Sequence, residues 1–295
     1  MIETDQLTKR YGGERGIEDI SMTVEPGEIY GFLGPNGAGK TTTIRTLLDL
    51  LHPSAGRALI FGLDSHAASR EIRARIGNLP GDFTCDTRLT GREFLDFCAD
   101  ARGLRGRVSG NALAQRFEAD LDRPIGELSR GNRQKIGIIQ ALFHDPELLV
   151  LDEPTTGLDP LMQEEFLGVI MDFRDRGGSV FLSSHDLEEV ERVCDRVAII
   201  RDGRLAAVER VADLRGRTYH RVSIEFEMPV GAQEFAQIPG ITQLEADGSR
   251  ISFRVAGALD PVVKAAARHT VIDMELTEPT LEEIFLTYYG REGTR

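Results

Sequence analysis

The chain has 295 residues, of which 41% are hydrophobic and 28% are charged. This length and composition suffice for a buried core and predict two domains. The formal net charge of −13 and a pI near 5.0 argue against nonspecific binding to nucleic acid through a basic surface, and leave open only a local basic patch.

The character of the sequence changes once within its first 125 residues. Glycine-marked turns divide residues 1–65 into short predicted strands, and a helix is predicted directly after the glycine-rich stretch GPNGAGKTTT. Residues 66–125 are rich in arginine and in helix formers, as in REFLDFCADARGL, and contain few strand-like runs. A helical subdomain is therefore predicted over about residues 83–145.

Helix and strand patterns alternate over residues 135–200. The predicted helices are KIGIIQALF, QEEFLGVIMDFRDR and LEEVERVC, and the predicted strands are ELLVLDEP, SVFLSS and RVAIIRDG. Uninterrupted apolar strands between helices are typical of a parallel sheet covered on both faces. Residues 1–214 are therefore predicted to form one α/β domain.

The pattern changes again after Leu214. HRVSIEFEM alternates like a half-buried strand, residues 231–238 suit a short helix, and TQLEA and RISFRV flank the hairpin-turn pair Asp247-Gly248. PVVKAAARH then suits a helix and VIDMEL a strand. The order β-α-β-β-α-β predicts a small α+β, ferredoxin-like accessory domain over residues 215–295, which ends in a helix at TLEEIFLTYYG.

Cysteine usage and hydropathy bound the environment of the protein. Cys85, Cys98 and Cys194 are odd in number and in no CxxC spacing, which predicts reduced thiols in a cytoplasmic protein rather than a disulfide frame or a metal site. The start, MIETDQLTKR, lacks the basic-then-apolar pattern of a signal peptide. No apolar run approaches the roughly 18 residues that span a bilayer, so any action on a membrane is expected from outside the lipid.

The stretch GPNGAGKTTT, residues 34–43, has the pattern GxxxxGK[ST] that binds phosphate groups. Glycines let backbone amides converge on phosphate oxygens, and the following helix adds its positive N-terminal end. Lys40 is expected to reach the β- and γ-phosphates, and the Thr41 hydroxyl to bind Mg²⁺. An ordinary glycine turn is a weak alternative, because a strand precedes the loop and a helix follows it. The predicted phosphate-binding residues are Gly34, Pro35, Asn36, Gly37, Ala38, Gly39, Lys40, Thr41 and Thr42.

The run LLVLDEP, residues 148–154, supplies the acidic residues that a nucleotide-hydrolysing phosphate loop needs. An apolar strand ends at Asp152, which is expected to hold Mg²⁺ through water, and Glu153 then lies where it can polarise an attacking water. A strand that merely ends in solvated acids before a proline turn also explains the run. The pairing with the phosphate loop favours the metal-binding interpretation.

Four further motifs accompany these two in a fixed order. LSRGN occupies residues 128–132, GLDP residues 157–160 and SSHD residues 183–186, while Tyr11 precedes the phosphate loop. In this combination the chain resembles the ABC ATPases over residues 2 to about 215. LSRGN is similar to their LSGGQ signature and GLDP to their D-loop, His185 matches their switch histidine, and Tyr11 matches their aromatic residue against adenine. Taken singly, Tyr11 is a surface aromatic, LSRGN a helix cap and His185 a helix-start residue.

The resemblance implies an ATP hydrolase with a P-loop NTPase fold and with ATP and Mg²⁺ as cofactors. Two copies would form a homodimer, packed head to tail, with each ATP between the phosphate loop of one copy and the signature of the other. Ser129 and the Gly131 amide would there contact the γ-phosphate at a helix N-terminus. Lys40, Glu153 and His185 would be the catalytic residues, with His185 bridging the γ-phosphate and the water.

The sequence departs from the family pattern in two places. Arg130 and Asn132 replace a glycine and a glutamine within the signature. In IGNLPGD, residues 76–82, Gly81 falls where the family has a glutamine that contacts magnesium and senses the membrane partner. We expect the neighbouring Asp82 to take a share of the metal contact, directly or through water.

The resemblance narrows to one class of transporter. TGREFLDF, residues 90–97, and EPTLEEIFLTYYG, residues 278–290, are similar to the docking region and the ending of daunorubicin-resistance-type exporter ATPases. This implies an ATPase subunit of an exporter of a drug, antibiotic or lipid-like substrate, peripheral on the cytoplasmic face of the cell membrane. A separate transmembrane permease subunit would dock on residues 83–110 and select the substrate, which this chain therefore does not identify.

Three other interpretations compete with this one. A soluble ABC ATPase that acts on ribosomes or DNA usually has two nucleotide domains in one chain or a long coiled-coil insertion. The single nucleotide domain and the net charge of −13 predict no nucleic-acid partner here. A small-molecule kinase with a phosphate loop does not account for LSRGN, GLDP and SSHD together. Service to an importer is disfavoured only by the resemblance of the tail.

Overall fold

The computed structural model describes residues 1–12, 14–104, 110–216 and 220–277. The chain divides into two compact units, Met1–Val211 and Ala212–Arg295. Each unit has a buried hydrophobic cluster of its own. The helix predicted at TLEEIFLTYYG lies outside the described residues.

The first unit is a layered α/β structure. Its described strands are β1 (Ile2–Tyr11), β2 (Glu14–Val24), β3 (Ile29–Leu33), β4 (Ala55–Ile60), β5 (Leu63–Asp64), β6 (Ile76–Leu79), β7 (Leu148–Asp152), β8 (Ser179–Ser184), β9 (Arg196–Arg201) and β10 (Arg204–Arg210). Its described helices are α1 (Lys40–Leu47), α2 (Ser69–Arg75), α3 (Gly91–Ala101), α4 (Asn111–Arg116), α5 (Arg130–Leu142), α6 (Pro160–Asp175) and α7 (Leu187–Val193). A further helix, α8 (Val211–Gly216), begins at Val211, the last residue of the first unit.

Two sheets form the first unit within the described residues. One is antiparallel with strand order β2-β1-β4-β5, and the other has the order β10-β9-β3-β8-β7-β6. In the second sheet all strands from β9 to β6 run parallel, and β10 pairs antiparallel with β9 at one edge. The carboxyl ends of parallel strands meet at one edge of a sheet, so the segments that follow β3, β6, β7 and β8 come together there.

The central strands β3, β7 and β8 are buried along their whole length, as their apolar sequences predict. The ring of Phe181 on β8 lies 6.0 Å from the ring of Tyr30 and 5.4 Å from that of Phe32, both on β3. The helix and strand alternation predicted for residues 135–200 is confirmed, in the predicted order.

Helices α3, α4 and α5 follow β6 before the chain returns to the sheet at β7. The start of α3 is fixed by a capping box: the Thr90 hydroxyl accepts from the Glu93 amide at 3.2 Å, and the Glu93 carboxylate accepts from the Thr90 amide at 2.8 Å. Reciprocal caps of this kind explain why TGREFLDF begins a helix at Gly91. Among the described residues, no helix is both long and apolar enough to cross a membrane.

The second unit has the predicted order of elements. Its described elements are β11 (His220–Phe226), α9 (Gln233–Ala236), β12 (Ile241–Asp247), β13 (Arg250–Val255), α10 (Asp260–Ala266) and β14 (Val271–Thr277). The sheet order is β12-β13-β11-β14, and each neighbouring pair is antiparallel. Phe226, Phe235 and Phe253 lie in its buried cluster.

The hairpin between β12 and β13 turns one residue later than predicted. Asp247 remains in the ladder opposite Arg250, so the two-residue loop is Gly248-Ser249 rather than Asp247-Gly248. Gly248 has a φ of +59° and occupies the first loop position, where a type II′ turn requires glycine. The turn therefore requires the glycine at its first loop position, and the aspartate before it stays in the strand.

Candidate functional site

The phosphate loop connects the carboxyl end of β3 to the start of α1. Gly39 has a φ of +112°, a conformation that other residues rarely adopt. A Cβ atom on Gly34 would lie 2.4 Å from the Ile200 carbonyl oxygen, so the loop has no room for a side chain there. Lys40 begins α1 and turns back over the loop, where its buried Nζ donates to the Gly34 carbonyl oxygen at 2.5 Å.

Asp152, the last residue of β7, joins three elements of the sheet edge. The residue is 2% exposed. Oδ2 accepts from the Thr41 hydroxyl on α1 at 2.7 Å, and Oδ1 accepts from the Ser183 hydroxyl on β8 at 2.6 Å. The structure thus brings the predicted magnesium residues Thr41 and Asp152 together. Ser183 was missed by the sequence analysis, because its proximity follows from the β7–β8 register that pairs it with Asp152.

Glu153 leaves the strand in a strained conformation. Its φ is +51°, in the left-handed region that non-glycine residues seldom occupy, and its amide donates to the Ser183 carbonyl and hydroxyl oxygens at 3.2 and 3.1 Å. Lys40 Nζ lies 3.0 Å from Glu153 Oε1 as an ion pair without hydrogen-bond alignment. His185 Nδ1 lies 2.5 Å from Oε2. The carboxylate predicted to polarise water is therefore held between the two other predicted catalytic residues.

A further carboxylate, Glu189 on α7, lies behind this arrangement. The hydroxyls of Ser184 and Thr155 donate to its Oε2 at 2.8 and 3.2 Å. Burial raises the pKa of Glu189 from 4.5 to about 7, helped by the charges of Asp186 and Glu153 and opposed by the two hydroxyl hydrogen bonds. Glu189 therefore ties the loop after β7 to the end of β8, next to His185.

Glu189 was also missed by the sequence analysis. In HDLEEVERV it follows the exposed Glu188, and composition does not separate the two acids. The available signal is helical spacing, because Glu189 shares the inner side of α7 with the buried Val190 and Val193.

The signature LSRGN forms the start of α5. Ser129 is the N-cap, and its hydroxyl accepts from the Asn132 amide at 3.2 Å. Ser129 and Arg130 are exposed, and the first turn of α5 contains no acidic residue. An exposed helix N-terminus with an added arginine and no acid is a favourable environment for an anion.

The signature helix packs against the loop that follows β7. A Cβ atom on Gly131 would lie 2.6 Å from the Gly157 carbonyl oxygen, so glycine permits this close approach to GLDP. The buried side chain of Gln134 donates to the Pro154 carbonyl oxygen at 2.8 Å. The signature is thereby tied to the segment that carries Glu153.

Gly81 and Asp82 follow β6, at the position where a family glutamine was expected. A Cβ atom on Gly81 would lie 3.3 Å from Asp152 Oδ2, so the backbone here lies against the predicted metal carboxylate. Asp82 is exposed and, within the described residues, stands outside the hydrogen-bonded chain around Asp152. With Arg130 and Arg133 it lines a pocket of about 480 Å³.

Tyr11 lies at the end of β1 and is 44% exposed. Its ring packs over Gly16, where an added Cβ atom would lie 2.9 Å from the ring. The Gly16 carbonyl oxygen in turn would lie 3.4 Å from a Cβ atom on Gly39. The predicted adenine contact is therefore separated from the phosphate loop by a single residue, Gly16.

The comparisons with known proteins agree with this geometry. The sequence profile of the ABC transporter family matches residues 17–156, which hold the phosphate loop, the predicted metal residue Asp152 and the predicted catalytic residue Glu153. The bacitracin transport ATP-binding protein of Bacillus licheniformis is 39% identical over 237 residues, which cover 77% of this chain and 75% of that protein. The chain belongs to the ABC transporter family. The family resemblance predicted from the motifs is thus confirmed, and the chain is an ATP-binding protein and ATP hydrolase of that family.

Other similar proteins are also ATP-binding proteins or ATP-binding cassettes. The Nod factor export ATP-binding protein of Burkholderia orbicola is 38% identical over 211 residues, covering 70% of this chain and 69% of that protein. A solved ATP-binding subunit of an ABC transporter is 31% identical with a TM-score of 0.68, and covers 73% of this chain and 92% of that chain. A dimeric ATP-binding cassette with ADP and Pi has a TM-score of 0.66, but at 22% identity it shows the fold alone, over 72% of this chain and 99% of that one. The predicted P-loop NTPase fold of the ABC ATPases is confirmed.

Replacing Glu189 with glutamine should change how stability depends on pH. Between pH 4.5 and about 7 the folded chain keeps a proton that the unfolded chain has lost, so stability is highest below pH 4.5 and is lost as the pH rises through 7. Glutamine removes this loss. The free energy of unfolding of Glu189→Gln, measured relative to that of the unsubstituted chain, should therefore be larger at pH 8 than at pH 5, by on the order of 3 kcal/mol.

Urea unfolding of the first unit at both pH values measures this difference. Glu188→Gln is the matched control, because the neighbouring carboxylate is exposed and its replacement should leave the pH dependence unchanged. Parallel pH profiles for Glu189→Gln and the unsubstituted chain would contradict this, because they would show that the pKa of Glu189 is the same in the folded and unfolded chains.

Proposed function

We propose that this chain is the ATP-hydrolysing subunit of a membrane exporter of a drug, antibiotic or lipid-like substrate. The observation that carries the proposal is the position of Glu153, between Lys40 at the phosphate loop and His185 after β8, in a chain of this family. The exporter class is supported by relatives named for bacitracin transport and for Nod factor export.

The phosphates of ATP would bind in the loop that precedes α1. The glycine conformations expose backbone amides, the helix N-terminus adds positive potential, and Lys40 would exchange the Gly34 carbonyl oxygen for phosphate oxygens. The loop residues Pro35, Asn36, Gly37, Ala38 and Thr42 belong to this same cradle, and Tyr11 would stack against the adenine.

The hydroxyl of Thr41 and the carboxylate of Asp152 fit a magnesium ion, because both offer the oxygen ligands that Mg²⁺ prefers. Mg²⁺ would supply neutralisation of the phosphate charge. Asp82 would share the metal contact, which is supported by the close approach of Gly81 to Asp152. Ser183 keeps the carboxylate of Asp152 oriented through its hydroxyl.

Hydrolysis would use Glu153 to draw a proton from the attacking water. Its carboxylate already bonds to His185, which can therefore hold the water and the γ-phosphate in line. Lys40 would stabilise the charge that develops on the phosphate. Glu189 would act behind these residues by accepting from the hydroxyl of Ser184, the residue before the histidine.

A head-to-tail homodimer would complete the site. Ser129 and the Gly131 amide lie at an exposed helix N-terminus that carries Arg130 and no acid, which suits the γ-phosphate held by a second copy. The pairing of Gly131 with Gly157 and of Gln134 with Pro154 would transmit that contact to the segment of Glu153.

A groove of about 380 Å³ in the first unit supports the proposal of a membrane partner. Its lining includes Leu48, Leu50, Phe94 and Arg102. Burial lowers the pKa of Arg102, and Asn78 carries a buried Oδ1 that has no hydrogen-bond partner among the described residues. We propose that a cytoplasmic segment of a transmembrane permease docks here and holds the ATPase at the cytoplasmic face of the cell membrane.

The second unit would be an accessory domain. We propose the ferredoxin-like class for it, a proposal supported by the β-α-β-β-α-β order and by the sheet order β12-β13-β11-β14. The predicted domain limits, residues 1–214 and 215–295, are proposed on the same footing and lie close to the division between the two compact units.

Glu153→Gln should stop turnover while leaving ATP binding intact. The amide keeps the shape of the side chain but accepts a proton poorly, so ATPase activity should fall about 100-fold or more. With Mg²⁺ and ATP in excess, the variant should accumulate as a dimer in light scattering. Glu188→Gln, an exposed change on α7, should behave like the unsubstituted chain. Persistent monomers with bound ATP would count against the head-to-tail mechanism.

Asp82→Ala should raise the Mg²⁺ concentration that gives half-maximal ATPase activity by about tenfold, the usual scale for loss of an outer metal contact. Steady-state ATPase assays across a Mg²⁺ titration measure this. Asp86→Ala is the control, since Asp86 is exposed and bonds to Arg88. An unchanged rate with unchanged Mg²⁺ dependence for Asp82→Ala would remove Asp82 from the metal site.

Affinity purification of this chain from native membranes in gentle detergent should recover a polytopic membrane protein in stoichiometric amount. Leu50→Arg should abolish the recovery, because it places a charge on the apolar wall of the groove, where Leu50 is 56% exposed. Leu161→Arg, on the 69% exposed Leu161 of α6, should leave it unchanged. Recovery with ribosomes or DNA-repair proteins instead would favour a soluble ABC ATPase.

A further inference from the structure

Three side chains with metal-binding groups meet at the end of α1 that is remote from the phosphate loop. They are Asp49 and His52, which follow α1, and His66, which precedes α2. One ligand atom from each lies within 4.8 Å of the other two. At about 1.5 Å per residue, the eight residues of α1 separate this cluster from the phosphate loop by about 12 Å.

The three groups converge on a single oxygen atom. His66 Nδ1 lies 2.8 Å and His52 Nδ1 lies 3.1 Å from Asp49 Oδ1. The two imidazole rings stand edge to face, with centroids 4.6 Å apart. Both histidine side chains are exposed, at 71% and 64%, whereas that of Asp49 is only 10% exposed. The cluster is therefore open to an ion from solvent on one side and anchored by a shielded carboxylate on the other.

The backbone around each group is fixed. The amide of His66 donates to the Asp64 carboxylate at 3.0 Å, and the carbonyl oxygen of His52 accepts from Lys9 Nζ at 2.7 Å. Asp49 has a φ of +56°, in the left-handed region, and so does not continue α1. Groups held in this way lose little conformational freedom when they bind a ligand.

We propose that Asp49, His52 and His66 bind a divalent transition-metal ion of the zinc class. Two imidazole nitrogens and one carboxylate oxygen suit zinc, which takes three protein ligands and a water in open tetrahedral sites. With metal–ligand distances of about 2.0–2.1 Å, the ligand atoms of a tetrahedron lie about 3.3 Å apart. The two nitrogen–oxygen distances here, 2.8 and 3.1 Å, require only a small outward shift.

The ion would take the place of the direct contacts between the two imidazole Nδ1 atoms and Asp49 Oδ1. A bound ion would join the end of α1 to the start of α2, and would fix Leu48 and Leu50, which flank Asp49 and line the groove.

The experiment uses the full chain, purified without a histidine tag, freed of metal by chelation and kept without nucleotide. Zn²⁺ titration by calorimetry should give one ion per chain, and Co²⁺ should give the visible absorption of a tetrahedral site. Saturating Zn²⁺ should raise Tm by about 3 °C or more. The double variant His52→Ala/His66→Ala should lose at least tenfold in affinity and the shift in Tm.

His269→Ala is the matched control, because His269 also bonds to a carboxylate, Glu234, at 2.8 Å, but lacks a third metal-binding neighbour among the described residues. It should bind Zn²⁺ as the unsubstituted chain does. Asp152→Asn should also retain binding, since the nucleotide site is separate. Equal affinity in the double variant, or no binding by the unsubstituted chain, would overturn the proposal. Loss of binding in an Asp152→Asn variant that unfolds at the same urea concentration as the unsubstituted chain would assign the ion to the nucleotide site and overturn it as well.

Discussion

The buried carboxylate of Asp152 is the contact on which the nucleotide-binding unit depends. A carboxylate removed from water costs several kcal/mol unless hydrogen bonds satisfy it, and here two hydroxyls do so, from Thr41 and Ser183. Because the three residues belong to α1, β7 and β8, one charge aligns the phosphate-loop helix with two central strands. The parallel register of β7 and β8 places Ser183 opposite Asp152 and so makes this alignment possible.

Charge around this anchor is arranged as a connected series rather than as separate pairs. Lys40 forms an ion pair with Glu153, and Glu153 also contacts His185. Glu189 accepts from the hydroxyl of Ser184, the residue before the histidine. The left-handed conformation of Glu153 is part of this arrangement, since it turns the side chain away from the strand direction. Such strain persists only where surrounding contacts hold it, and the two bonds from its amide to Ser183 are those contacts.

The features that a local residue pattern encodes could be predicted from the sequence. The phosphate loop, the acids after β7 and the alternation of helix and strand follow from residue spacing, and the structure has them in those positions. Ser183 and Glu189 were not predicted because their roles come from register and burial between segments about 30 residues apart. The turn at Gly248 was misplaced by one residue, since a pair such as Asp-Gly suggests one turn type and the backbone adopts another.

The end of β6 and the residues after it connect the groove to the predicted metal carboxylate of Asp152. Asn78 and Pro80 line the groove, and Gly81, the next residue, lies against Asp152. In the family pattern a glutamine side chain would bridge this distance, whereas here the backbone itself makes the approach. A side chain can rotate without moving its neighbours, but a backbone contact of this kind shifts whenever Pro80 shifts. A partner bound in the groove would therefore act on Asp152 through main-chain displacement, and the loss of the glutamine need not uncouple the two sites.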